Sequence, residues 1–567
     1  MVILSISPHL KIRNCLQAAL AFAVLTTQGF SPLLSPAHAA LKPEQVLVLF
    51  NSQGSDADGN GVADSVEVFE LYADRNPGVI GFDLDNAAIQ SRVLTHAEYE
   101  DLIRDPVRSF LDNSIPGGNG RGGDISAQIV VITLTQGLPV RIDDTDNAGL
   151  GNRPGDALDE LTDGDATYAS VDAELALLWQ AGSAGEAGGR LDAPFIDNAL
   201  LNPYHGRQAP IDSFDRSGIK TALRTEAIGA NADLISRLLD TNGTRFRLDD
   251  EPADPGDIYL TTRLAGRTVD DAIALIDRGG LVIFDVLADQ LIFDENAAGS
   301  LDDAAIFVQG GSPSEDPAYQ GDDYDEAASA ADAASYQALV FDETSRQLIG
   351  ENVGAFKGTA STTSVTGRVA LLATYGGNHN EGNSDNEGFI DTFAGQLAKG
   401  AIYLSAESFA GRTIDGGAGF LDQADVLDWV AHGGTFAIVN PAEPFAFSLA
   451  DAELITNNFL LGELTWAEAA WTAIPYLSWQ HVVIGDPLAT VLRVQGPPVD
   501  AEIFLAPRIR FVGQPGILYD VVRITDGGEE RIIATVEGTG QESVVADITD
   551  LPLTEPRRYE VRVVGLQ

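Results

Sequence analysis

From Val46 to about Val491 the chain repeats one pattern: a short β-branched or aliphatic run, then a segment with apolar residues at helical spacing. This alternation constrains the fold more than any other feature. A strand that feeds a helix returns parallel to itself, and helices then cover both faces of the sheet. Strands are expected over residues 46–50, 129–135, 281–285, 368–374, 401–405, 435–440 and 482–485. Helices are expected over 97–112, 171–179, 269–278, 424–432 and 467–474. A region this long exceeds one core, so two mostly parallel α/β subdomains are expected, 40–300 and 301–495. The acidic run EDPAYQGDDYDE (315–326) marks the break.

The tail changes period. After GPPVD (496–500) come strictly alternating runs, ILYDVVRIT (517–525), ERIIATVEG (530–538) and RRYEVRVVGL (557–566). The turn Asp526-Gly527-Gly528 joins the first two as a hairpin. Residues 499–567 therefore predict a small β-sandwich of immunoglobulin or fibronectin type. The acidic, Gly-rich stretch 143–165 reads as a surface excursion.

Lys11 and Arg13 precede the apolar run CLQAALAFAVL (15–25), and Ala37-His38-Ala39 stands before Ala40. That order predicts a secretory signal peptide over residues 1–39, hence a secreted, periplasmic or extracellular protein. Cleavage removes two cations and no acid, taking the formal charge from −50 to −52. It also removes the only cysteine, Cys15, and with it disulfide and thiolate chemistry. So acidic a chain is repelled by nucleic acid and by anionic membrane surfaces, and it suits cations. No later apolar stretch reaches the roughly 18 residues of a membrane span.

One loop concentrates the charge. Residues 56–67, DADGNGVADSVE, follow the strand VLVLF and carry four acids. They fit the calcium-loop pattern D-x-[DN]-x-[DN]-G-x5-E at every defined position. Asp56, Asp58 and Asn60 take positions 1, 3 and 5. Gly61 makes the sharp turn. Val62 offers a backbone carbonyl, Asp64 takes position 9, and Glu67 is the bidentate ligand at position 12. Calcium is the expected cofactor. The loop resembles the isolated calcium loops of secreted proteins, such as dockerin-type repeats; a strand enters it where an EF-hand has a helix.

Five stretches resemble one uncharacterised family of secreted bacterial proteins: VVITLTQGLPVRI (130–142), ASVDAELALL (169–178), LNPYHGR (201–207), YLTTRLAG (259–266) and PYLSWQHVVIGDPLATV (475–491). No molecular function comes with that family. A more distant resemblance is to the gingipain cysteine peptidases, of caspase-like fold. It implies two α/β subdomains followed by an immunoglobulin-like domain, and Gly485-Asp486-Pro487 is similar to the motif that closes their catalytic domain. Their chemistry implies a histidine after one strand, in a Gly-His-Gly setting, and a cysteine at the end of the next. The matching stretches here are LLATYGGNHNEG (371–382) and AIYLSAESFAG (401–411). His379 lies near the histidine position in a different setting, and Ala406 stands at the nucleophile position. A methyl group is neither ionisable nor nucleophilic.

The reading that follows is a secreted calcium-binding protein on a peptidase-like scaffold with a non-catalytic binding or surface-scaffold role and an unknown protein or glycan partner. The alternative is a hydrolase using Ser405 or Ser408 with His379. A second alternative is an adhesin or carbohydrate-binding protein acting through the sandwich. Asp172 and Glu174, two residues apart, cannot share a helix face, and both suit the positive end of a helix starting at Ser170. Arg263 ends a strand and suits an ion pair or a carboxylate ligand. His432 suits a helix C-terminus, and Trp466, Trp471, Tyr476 and Trp479 suit core packing under the last strand. Neither zinc-site spacing nor a phosphate-binding glycine loop occurs.

Overall fold

The computed structural model describes residues 41–90, 93–112, 125–142, 169–176, 178, 200–202, 204–205, 259–294, 324–342, 368–374, 390, 393–405, 409–415, 425–442, 449–462, 464–477, 480–494, 508–512, 516–525, 530–538, 542–546 and 557–564. Ten strands form its central sheet: β1 (Val46–Phe50), β2 (Ile80–Asp83), β3 (Val131–Thr135), β4 (Leu260–Leu264), β5 (Asp289–Asp294), β6 (Leu339–Asp342), β7 (Arg368–Thr374), β8 (Leu397–Ser405), β9 (Phe436–Val439) and β10 (Val482–Ile484). Their order is β6-β5-β7-β8-β9-β10-β4-β3-β1-β2. The sheet therefore runs without interruption through residues on both sides of position 300. Strand β5 precedes that position in the chain and pairs between β6 and β7.

The strand sequences explain why the sheet lies inside. In β1 successive residues enter opposite cores: Val46 and Val48 pack in one cluster, Leu47 and Leu49 in another. Strand β3 repeats this with Val131 in the first and Ile132 and Leu134 in the second. A period of two with both phases apolar requires cover on both faces, the usual condition of a parallel sheet. Helices α1 (Asp64–Arg75), α2 (Val171–Ala176), α3 (Val269–Arg278), α4 (Val426–Ala431) and α5 (Trp466–Ala473) supply part of that cover.

Strand directions divide the sheet. Strands β2, β1, β3 and β4 are mutually parallel, as are β6, β5, β7, β8 and β9. Between the groups lies β10, antiparallel to β9 and parallel to β4 through a single pair, Ile484 with Arg263. The two groups consequently point their strand C-termini toward opposite edges of the sheet. Segment 281–285, an expected strand, stays outside this sheet and pairs in parallel with Thr490–Val494.

The tail folds as two small antiparallel sheets. Strands β11 (Arg508–Val512) and β14 (Glu542–Ala546) form one, and β13 (Glu530–Glu537), β12 (Leu518–Thr525) and β15 (Arg557–Val563) form the other in that order. Tyr519, Val521, Val545, Val561 and Val563 share one buried cluster, against which Ile283 and Leu492 of the 281–285/490–494 pair also pack. The expected turn at 526–528 and the excursion at 143–165 lie outside the described residues, as do residues 1–39.

Candidate metal centre

The acidic loop leaves the C-terminal end of β1 and ends in α1, whose first turn carries Asp64 and Glu67. Asn51 braces its entry. The Asn51 side chain donates to the carbonyls of Asn86 (3.0 Å) and Ile89 (3.1 Å), and its backbone N–H donates to Ser65 Oγ (2.9 Å). Ser65 Oγ in turn bonds Thr135 Oγ1 at 2.6 Å, and Thr135 donates to Leu49 O. Loop ends and helix start are thus tied to the sheet independently of the carboxylates. Small polar residues at both ends of an Asp-rich loop carry this role, and the calcium pattern gave no sign of it.

Within the loop the carboxylates turn inward. Asp56 accepts from the N–H groups of Asn60 (3.0 Å) and Gly61 (2.9 Å), and Asp58 accepts from the same Asn60 N–H (3.0 Å). Asp64, 4% exposed, accepts from Ser55 Oγ and from the N–H of Ala57. The Asn60 side chain donates to Asp58 Oδ2 at 2.9 Å and to Glu67 Oε1 at 2.6 Å. Val62 N–H donates to Asn60 Oδ1 at 2.8 Å. Gly59 and Gly61 adopt φ of +74° and +93°, the left-handed conformation that lets so short a loop fold back on itself.

Carboxylate oxygens of Asp56, Asp58 and Asp64 lie within 4.8 Å of one another and could hold a metal ion. Asp56 and Asp58 are exposed, so the centre opens to solvent. No lysine or arginine occurs between Asn51 and Glu67. Each pair of like charges at that separation repels by about 1 kcal/mol even in water, and more where Asp64 is buried. Backbone dipoles and the N-terminus of α1 offset part of this. An all-oxygen donor set suits a hard divalent cation and disfavours thiophilic metals. Of the six expected ligands, three carboxylates converge, Asn60 and Glu67 are hydrogen-bonded to one another beside them, and Val62 belongs to the same turn. Beside the loop stands Asp83. Burial works to raise its pKa, but hydrogen bonds from Ser52 and Asp85 overcome this and hold it below the ordinary value.

The hydrolase candidates sit elsewhere. Ser405 ends β8 opposite Thr374 at the end of β7, on the sheet edge opposite the acidic loop. It is 7% exposed and sits with Thr374 beside the buried Tyr403 phenol. Burial pushes that phenol up to about 12, against the pull of the two hydroxyls. His379, Ala406 and Ser408 lie outside the described residues.

A second polar network draws on residues from the stretches 130–142, 169–178, 201–207, 259–266 and 475–491. Arg263, fully buried, forks onto Asp172 (3.2 and 2.6 Å) and donates to the carbonyls of Leu138 and Pro139 (2.8 Å each). Burial raises the Asp172 carboxyl above its ordinary value against the attraction of Arg263. Ser170 caps α2 by accepting from Ala173 N–H and donates to His481 O. The Asn202 side chain donates to the carbonyls of Trp471 and Ile474, 2.7 Å each. Trp466 and Trp471 are buried, with indole N–H groups donating to Ile484 O and Thr261 O. His432 caps α4, its Nδ1 2.8 Å from Asp428 O. Asp486 joins α1 to the end of β10. It accepts from Tyr72 Oη (2.7 Å), Leu488 N–H and Gly280 N–H. Gly485 before it has φ +130°, and a Cβ there would lie 2.4 Å from Phe436.

No family model, curated protein or solved structure matches the chain.

Proposed function

We propose that the protein is a secreted calcium-binding protein built on a peptidase-like α/β scaffold, with a non-catalytic binding or surface-scaffold role. The observation that carries the reading is the convergence of Asp56, Asp58 and Asp64. Asp56, Asp58, Asn60, Val62, Asp64 and Glu67 hold the ion, and its charge offsets the mutual repulsion of the carboxylates. An extracellular site of this kind binds at about 10⁻⁴–10⁻³ M, which suits a calcium-rich medium. The two oppositely directed strand groups support a caspase-like pair of subdomains. The two antiparallel sheets that share the Tyr519–Val545 cluster support an immunoglobulin- or fibronectin-like sandwich in the tail. Burial of Ser405 beside Tyr403 supports the non-catalytic reading over the hydrolase. Titration calorimetry tests the site: one calcium ion per chain is expected, with binding lost in the double variant Asp56→Asn/Asp58→Asn. Unchanged heat in that variant contradicts it.

A further inference from the structure

Asn60 stands directly before Gly61 in the acidic loop. An asparagine in that position can react with its own backbone: the nitrogen of the next residue attacks the side-chain amide carbon and closes a five-membered ring. A Cβ on the next residue hinders closure, and Gly61 has none. Both residues are exposed, and a Cβ built at Gly61 would meet nothing within 4 Å, so the ring and the water that opens it have room. The hydrogen bonds around the pair suit each stage. Val62 N–H donates to Asn60 Oδ1 at 2.8 Å, the oxygen that gains negative charge as its carbon becomes tetrahedral. Gly61 N–H donates to Asp56 Oδ2 at 2.9 Å, an acceptor within reach of the proton that the nitrogen must lose. Asn60 Nδ2, the leaving group, donates to Asp58 Oδ2 at 2.9 Å and to Glu67 Oε1 at 2.6 Å. Those carboxylates stabilise the positive charge that the nitrogen gathers as it is protonated.

We propose that Asn60–Gly61 is a self-modification site: in the calcium-free loop Asn60 converts to aspartate and isoaspartate, with water as the co-reactant. The bond from Gly61 N to Asn60 Cγ forms and the Cγ–Nδ2 bond breaks. The Gly61 proton leaves by way of Asp56 and departs on the ammonia. Water then opens the cyclic imide at one of its two carbonyls. Opening at Cγ restores the peptide bond and leaves an aspartate at position 60, which the calcium pattern accepts. Opening at the backbone carbonyl leaves Gly61 attached through Cγ. The main chain is then one atom longer between Asp58 and Asp64, which shifts the Gly61 turn and disperses the three converging carboxylates. One consequence rests on the calcium reading proposed above. With the ion bound, Asp56, Asp58, Asn60 and Glu67 are engaged as its ligands and withdrawn from the reacting groups, so calcium slows the conversion.

Peptide-mapping mass spectrometry of the full chain, held at neutral pH in chelator, tests this. Conversion is read as exchange of the Asn60 amide nitrogen for oxygen. Isoaspartate is resolved from aspartate by retention, with Asn60→Asp as the standard. Asn60 is expected to convert in the folded chain at least as fast as in the same chain unfolded in urea, where no neighbour assists. Conversion slower in the folded chain than in urea overturns the proposal. Parallel folded samples in about 10 mM calcium, roughly ten- to a hundredfold above the dissociation constant, are expected to convert about ten- to a hundredfold more slowly. Asn119–Gly120 and Asn242–Gly243 report any general effect of calcium on such pairs. Calorimetry on the same samples separates the two claims. Fast conversion with and without calcium, and no binding heat, contradicts the calcium reading and upholds the self-modification. Equal conversion despite binding heat overturns the protection.

Discussion

At the scale of single residues, charge placement decides what can be changed. Glu67 lies one helical turn into α1 and accepts from Asn60. Glu67→Gln removes a charge-assisted contact of about 1.5–3 kcal/mol, so calcium binding is expected to weaken roughly ten- to a hundredfold with the fold intact. Calorimetry reads this directly. Arg263 and Asp172 behave differently. Each is almost wholly inaccessible, so Asp172→Asn strands a guanidinium in the core and is expected to cost about 3–5 kcal/mol in urea denaturation. Replacing both partners by apolar residues of similar volume is expected to recover most of that loss.

Elements show what the sequence could and could not convey. Strands 46–50 and 368–374, and helix 269–278, form as their periodicity predicts, because burial on both faces or on one stripe is a local pattern. Strand β2 escaped notice: IGFD is short, carries a glycine and is only partly buried. The folding of the acidic loop back on itself was legible because the contacts within it span at most nine residues. The Arg263–Asp172 fork spans 91 residues and the Tyr72–Asp486 bond 414, and pairings at such separation leave no periodic trace. Asp486 also carries a pH prediction. Burial holds its carboxyl above the ordinary 3.8, against hydrogen bonds from Tyr72, Leu488 and Gly280. A raised carboxyl favours folding below 3.8, and that contribution is lost as pH rises through the folded value. Asp486→Asn is therefore expected to gain stability relative to the unsubstituted chain as pH rises from 4 to 8 in parallel melts. A difference that is constant with pH contradicts that reading.

On the scale of the whole molecule, strand direction separates the two regions that the sequence singles out. The acidic loop follows β1 on one edge of the sheet, and Ser405 ends β8 on the other. The loop is linked to the middle of the sheet through α1, whose Tyr72 donates to Asp486 beside the seam strand β10. The formal charge of −50 adds a second dependence, since screening by salt relieves self-repulsion and raises stability even with calcium absent. The most direct test of the account is the melting temperature of the full chain in chelator and in millimolar calcium at fixed ionic strength, with Glu67→Gln alongside. A ligand at about a hundredfold excess over its dissociation constant stabilises by about 2.7 kcal/mol, and tenfold excess by about 1.4 kcal/mol. The account predicts a rise of a few degrees with calcium, mostly lost in Glu67→Gln; equal melting temperatures with and without calcium contradict it.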